Sequence, residues 1–218
     1  MMGVLVKICG LAETEGLDAA VEAGMDFAGF VFYPGSPRAL SPEAAADLAD
    51  ALPDEITKVG LFVDPTDDDL DRVLRQFRLD LIQLHGNESP ERVDRIRLEF
   101  GLPVMKAIGI AAASDLDRAR AYEGHADWLL FDAKPMDDDT RPGGLGRSFP
   151  WHLLQDWRGE TPWMLAGGLT PENVERAVAE SGAGAVDVSS GVESAPGVKD
   201  PARIAAFLRA AKNARASW

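Results

Sequence analysis

Along a chain of 218 residues, a short apolar run followed by a helical pattern recurs eight times. The runs fall at 4–9, 26–33, 58–63, 81–84, 104–110, 128–132, 163–166 and 185–189, and no hairpin signal separates the first four. Near-continuous apolar strands joined by helical crossovers are buried on both faces, which is the pattern of a parallel sheet. Eight such units predict an α/β protein with a single (βα)8 barrel spanning 1–218, close to the lower size limit of about 200 residues for that architecture. An open, doubly wound sheet is the competing arrangement. It would be expected to carry a GxGxxG turn opening a helix after the first strand, and none is present.

Helix starts are marked where an oxygen-bearing side chain precedes proline, at Ser41-Pro42-Glu43, Ser89-Pro90-Glu91 and Thr170-Pro171-Glu172-Asn173. The last helix, rich in alanine, is expected over 201–214. The longest loop, 133–148, carries Pro135, Pro142, Gly143-Gly144 and Gly146. Structureless loops of that length in compact domains are commonly functional, so it is expected to act as a lid. Phe149 and Trp151 beyond it are expected to anchor the next helix by packing.

The last two runs end in turns suited to an anion. Gly167-Gly168 closes the seventh and Ser189-Ser190-Gly191 the eighth. In a (βα)8 barrel a phosphate site frequently sits after these two strands, held by backbone amides beside a helix N-terminus. No basic cluster accompanies the turns in the sequence, so hydroxyls and amides are expected to hold the phosphate. A net charge of −14 argues against nucleic acid and anionic membrane surfaces as partners, leaving an anionic small molecule to be captured by local groups. The Asp67-Asp68-Asp69 and Asp137-Asp138-Asp139 runs read as solvated surface. One cysteine allows no internal disulfide, and three histidines with one cysteine show no metal spacing, so no metal is expected. With no apolar run of membrane-spanning length and no leader at Met1-Met2-Gly3, a cytoplasmic location is expected.

Reacting groups in such barrels come from the C-terminal ends of strands, where Cys9, Arg38, Asp64, His85 and Asp132 stand beside the glycine and serine turns. Alternation along a strand puts Lys7 on the face of Cys9, and Asp187 on that of Ser189. Strands one and eight adjoin when the barrel closes, so Lys7 and Asp187 are expected to meet inside it. Each candidate has a plainer alternative. Cys9 is a small buried hydrophobe or a reactive thiol. Asp132 either caps its own turn or donates a proton, the apolar run before it favouring the neutral carboxyl. His85 contacts substrate or solvent, and Arg38 holds a carboxylate or phosphate or lies on the surface. His125 and His152 lie away from the strand ends and read as surface residues.

These residues sit in motifs that can be set side by side: Lys7-Ile8-Cys9-Gly10, Gly29-Phe30-Val31-Phe32 with Ser36-Pro37-Arg38, Gln83-Leu84-His85-Gly86, Phe131-Asp132-Ala133-Lys134, Leu165-Ala166-Gly167-Gly168 and Asp187-Val188-Ser189-Ser190-Gly191-Val192-Glu193. In order and spacing, from the first strand to the eighth, the chain resembles the phosphoribosylanthranilate isomerases. The resemblance implies a cofactor-free isomerase of tryptophan biosynthesis acting on a phosphorylated small molecule, either a monomer or a homodimer. It implies Cys9 as general base, Asp132 as general acid and Arg38 as partner of the anthranilate carboxylate. From the strand ends and turns themselves, Lys7, His85 and Asp187 are expected at the substrate, and Gly167, Gly168, Ser189, Ser190 and Gly191 at the phosphate. Leu11-Ala12 replaces the hydroxyl residue common after Gly10, and Gly143-Gly144-Leu145-Gly146 replaces the usual GGTG or GGNG. A paralogous phosphosugar isomerase and a non-catalytic phosphosugar-binding barrel are the alternatives.

Overall fold

The computed structural model describes residues 3–136, 143–144 and 146–215. Eight parallel strands close in sequence order: β1 Leu5–Cys9, β2 Phe27–Val31, β3 Thr57–Phe62, β4 Leu81–Leu84, β5 Val104–Ile110, β6 Trp128–Ala133, β7 Trp163–Leu165 and β8 Ala185–Val188. The ring closes where β1 pairs with β8, with Lys7 opposite Asp187. Helices α1 Thr14–Glu22, α2 Pro42–Ala49, α3 Asp67–Leu74, α4 Pro90–Phe100, α5 Asp115–Arg120, α6 Val174–Ser181 and α7 Pro201–Asn213 follow the strands. Ser41, Thr66, Ser89 and Asp200 each accept from a first-turn amide, and proline takes the first turn of α2, α4 and α7.

Two apolar regions hold the barrel. The larger lies between strands and helices and includes Val6, Ile8, Phe30 and Ile82, while a smaller one fills the interior with Phe27, Val59, Leu81, Met105, Leu130 and Met164. Period-two alternation makes the next inward positions along β1, β4, β6 and β8 Lys7, Gln83, Asp132 and Asp187. The lower interior is therefore a packed core and the upper layer is polar, which sets the chemistry at the C-terminal mouth.

Several expectations need correction. Helix α6 starts at Val174 rather than with Pro171 in its first turn. The Asn173 side chain accepts from Thr170 N at 2.8 Å and donates to Gly168 O at 2.9 Å, stabilising a separate turn that delays the helix. Between β6 and β7 the described residues form only a 3₁₀ helix, Trp151–Asp156. Trp151, Leu154 and Trp157 are all buried, a spacing of three that suits three residues per turn and not 3.6. Phe149 and Trp151 pack inward as expected. After β8 the chain forms an unforeseen antiparallel hairpin, β9 Glu193–Ala195 with β10 Val198–Lys199. Asp67-Asp68-Asp69 is more than solvated surface: it opens α3, where Asp69 closes a capping box with Thr66 and Asp67 pairs with Arg92. Asp137-Asp138-Asp139 and Pro142 lie outside the described residues.

Candidate active site

The mouth opens into a concave pocket, the ordinary setting of a small-molecule site. Cys9, Arg38, His85, Asp132 and Asp187 line it together with both expected phosphate turns. Lys7 lies beneath them with no exposed surface, and Asp64 stands outside, exposed and in a left-handed conformation at φ 46°.

On the β1 side, Lys7 Nζ donates to Asp187 Oδ1 at 2.9 Å. Two residues on, Cys9 is buried against Gly29, where an added Cβ would come within 3.2 Å of Sγ and 3.1 Å of Lys7 Nζ. Burial pushes the Cys9 thiol up, and Asp187 adds to that, while Lys7 and Lys199 pull it down without fully offsetting the desolvation. Burial alone would lower the Lys7 ammonium, but Asp187 and a Cys9 thiolate hold it above its ordinary value.

Across the mouth, Asp132 Oδ1 accepts from Ala133 N at 2.7 Å and Oδ2 lies 3.3 Å from His85 Nε2. Turn capping and exposure to the pocket thus coexist in one carboxyl group. Gln83 Nε2 lies 3.0 Å from His85 Nδ1, and with the amide donating there the imidazole keeps its proton on Nε2, toward Asp132. The loop that carries His85 is fixed from behind. Buried Lys106 pairs with Glu88 at 3.0 Å and donates to Gly86 O at 2.9 Å, and Glu88 accepts the amides of Asp64 and Gly86.

The two phosphate turns are locked together. A Cβ on Gly191 would fall 1.8 Å from Leu169 O, so the close approach requires glycine. Arg203 donates to Gly191 O at 3.0 and 3.1 Å, holding that turn from α7. No basic cluster was expected at these turns, and one lysine reaches the second of them from the hairpin. Lys199 Nζ donates to Ser189 O at 3.0 Å and lies 3.4 Å from Ser189 Oγ. The signal available in the sequence was the Pro196-Gly197 turn, which folds β10 back onto the mouth.

Arg38 is no surface residue, being 4% exposed, with Nε 2.6 Å from Glu193 Oε1 and Nη2 2.9 Å from Glu193 Oε2. Its third nitrogen, Nη1, faces Gly144, where a Cβ would stand 2.7 Å away. A Cβ on Gly143 would likewise meet His85 Nε2 at 2.6 Å, so this part of the long loop lies directly over the polar layer. His125 pairs with Asp94 at 2.6 Å, and His152 is exposed. Among the described residues no group of three or more His, Cys, Asp or Glu could hold a metal ion, and no helix is long and apolar enough to cross a membrane.

The family described as PRAI, N-(5'phosphoribosyl)anthranilate (PRA) isomerase, matches residues 6–210. A protein of that name from Paramagnetospirillum magneticum is 56% identical over 214 residues, covering 98% of this chain and all of its own. The namesake from Rhodospirillum rubrum is 54% identical over 216 residues, 97% of this chain and 99% of its own. Among solved structures, phosphoribosyl anthranilate isomerase from Thermotoga maritima superposes with a TM-score of 0.84 at 38% identity, covering 96% of this chain and 98% of its own. A structure in complex with reduced 1-(o-carboxyphenylamino)-1-deoxyribulose 5-phosphate gives 0.81 at 37% over the same shares. With sequence agreement along nearly its whole length and the same closed barrel, this chain belongs to the N-(5'-phosphoribosyl)anthranilate isomerase family.

Proposed function

We propose that this isomerase converts N-(5-phosphoribosyl)anthranilate into 1-(2-carboxyphenylamino)-1-deoxyribulose 5-phosphate in tryptophan biosynthesis, with Asp132 as general acid and Cys9 as general base. The observation that carries the assignment is the meeting of a buried thiol beside a lysine, a carboxyl beside a histidine, a Gly-Gly turn and a Ser-Ser-Gly turn at one pocket.

The rearrangement needs one acid and one base. Asp132 protonates the ring oxygen as the C1–O bond breaks and the aryl nitrogen forms a Schiff base. Cys9, as thiolate, takes the proton from C2, a C1–C2 double bond forms as the C=N pair moves to the nitrogen, and the resulting enolamine becomes the ketone as C1 gains a proton and the C2 hydroxyl releases one, which returns the thiol and Asp132 to their starting states. Lys7 stabilises the thiolate from below the pocket, and Asp187 faces the sugar. His85 holds Asp132 by the oxygen not bonded to Ala133 N. Arg38 takes the anthranilate carboxylate. The backbone and hydroxyls of Gly167, Gly168, Ser189, Ser190 and Gly191 take the phosphate. The same reading places the enzyme in the cytoplasm as a monomer or homodimer.

Gly168→Val should raise KM at least about tenfold while a folded protein is recovered. The residue sits at φ 64°, and a side chain there would meet the backbone of Arg147 at 2.7 Å, displacing the turn. Steady-state kinetics on protein with an intact thermal transition check this. Unchanged kinetics would remove the turn from the phosphate site.

A pH profile offers a second check. The base must lose its proton to act, and burial raises the Cys9 thiol in the free enzyme. The rising limb of kcat/KM should therefore lie on the alkaline side of an ordinary thiol near pH 8.5, with any second limb reporting the coupled site as a whole. The activity in cells is tested by expressing the chain in a tryptophan auxotroph that lacks this isomerase. Growth without tryptophan is expected, and failure to grow despite soluble expression would count against the reaction.

A further inference from the structure

The hairpin β9–β10 folds over the mouth so that one carboxylate stands between two cations. Glu193 Oε1 accepts from Arg38 Nε at 2.6 Å and from Lys199 Nζ at 2.9 Å. Its Oε2 accepts from Arg38 Nη2 at 2.9 Å and from Gly197 N at 3.2 Å. The side chains of Arg38, Glu193 and Lys199 are 5%, 4% and 0% exposed. Burial works against both charges of the Glu193–Lys199 pair and pushes the ammonium down. Hydrogen bonds from Arg38 together with Lys199 nevertheless hold Glu193 below the usual carboxylate range, and Lys199 donates to three oxygens within 3.4 Å.

Buried charge clusters of this kind contribute little net stability, because desolvation offsets most of the attraction. What this one fixes is geometry. Lys199 reaches the carbonyl of Ser189 in the phosphate turn, and Ser189 Oγ donates to Cys9 O at 3.0 Å. A single carboxylate thereby ties the guanidinium on the β2 loop to the turn after β8 and to the backbone of Cys9. With Nε and Nη2 occupied, the guanidinium keeps its Nη1 edge toward Gly144 and the pocket.

We infer that Glu193 and Lys199 are positioning residues, which clamp the Arg38 guanidinium so that its Nη1 edge meets the substrate's aryl carboxylate at a fixed span from the phosphate turn. The inference rests on the reaction proposed above. A pre-clamped guanidinium loses little rotamer freedom on binding, and its fork cannot swing away from the carboxylate.

Glu193→Gln separates this role from simple charge. The substitution makes the mouth one unit more positive, so attraction of an anion by net charge alone would lower KM. Loss of the clamp should instead raise KM about tenfold or more, with kcat changed far less. Three further readings belong to the same experiment. The effect should disappear in an Arg38→Ala background, where there is no guanidinium to hold. Binding of 1-phenylamino-1-deoxyribulose 5-phosphate, the product without its carboxylate, should be unaltered by Glu193→Gln. If that variant does not fold, Glu193→Asp, which keeps the charge but shortens the reach to Arg38, carries the test: KM should again rise, and only for the ligand with the carboxylate. A lowered or unchanged KM, an undiminished effect in the Arg38→Ala background, or equal weakening of both ligands would overturn the inference. Absence of turnover by the unsubstituted enzyme would sink the parent reaction and this inference together, whereas turnover with indifferent Glu193→Gln strikes only the clamp.

Discussion

Cys9→Ala should lower kcat by about 100- to 10,000-fold while KM stays within a few-fold, because a proton-transfer group stabilises the transition state and contributes little to ground-state binding. Asp132→Asn should do the same from the other side of the pocket. An amide can still accept from Ala133 N and lie beside His85, so shape is kept while the proton is lost. Neither substitution opens the core widely: the thiol is small, and the carboxyl stands at the pocket wall. The contrast with Gly168→Val is the test of roles, since that change should appear in KM and these in kcat. Steady-state kinetics on thermally verified proteins decides between them, and a Cys9→Ala enzyme with near-normal kcat would overturn the assignment of the base.

Lys7→Met should be the most destabilising single change in the polar layer, costing about 3 to 5 kcal/mol. Lys7 has no exposed surface and Asp187 is 8% exposed, so removing the cation strands a carboxylate in the barrel interior. At about 2 to 4 °C per kcal/mol for a chain of this size, the thermal midpoint should fall by roughly 6 to 20 °C. The double variant Lys7→Met/Asp187→Leu should regain much of the loss, because it removes both charges. Pairing holds the Lys7 ammonium above its unfolded value, so its contribution is fully present below about pH 10 and lost as pH rises through the folded value. Thermal unfolding of the three proteins tests this, and a Lys7→Met protein as stable as the parent would show that the pair carries no such cost.

Much of the fold was legible because its rules are local. Strand positions followed from apolar runs, and alternation alone put Lys7 on one face with Cys9 and Asp187 on one face with Ser189. Barrel closure then put Lys7 opposite Asp187, as the 2.9 Å contact bears out. What escaped depends on contacts between distant segments. Arg38 is held by a residue 155 positions away, and neither end of that pair carries a local mark of the other. Lys199 reaches Ser189 only because a short hairpin turns at Pro196-Gly197, and a two-residue strand gives almost no periodic signal. The start of α6 was misplaced because Pro171 fits a first helical turn as well as it fits the turn that Asn173 closes. The 3₁₀ segment was readable in principle from the spacing of Trp151, Leu154 and Trp157, which matches a period of three.

The reaction itself is tested most directly by adding purified protein to freshly generated N-(5-phosphoribosyl)anthranilate and following substrate and product. The predicted result is 1-(2-carboxyphenylamino)-1-deoxyribulose 5-phosphate forming at a rate proportional to protein concentration. Disappearance of the substrate at only its spontaneous rate, with no ketone product, would contradict the assigned isomerisation.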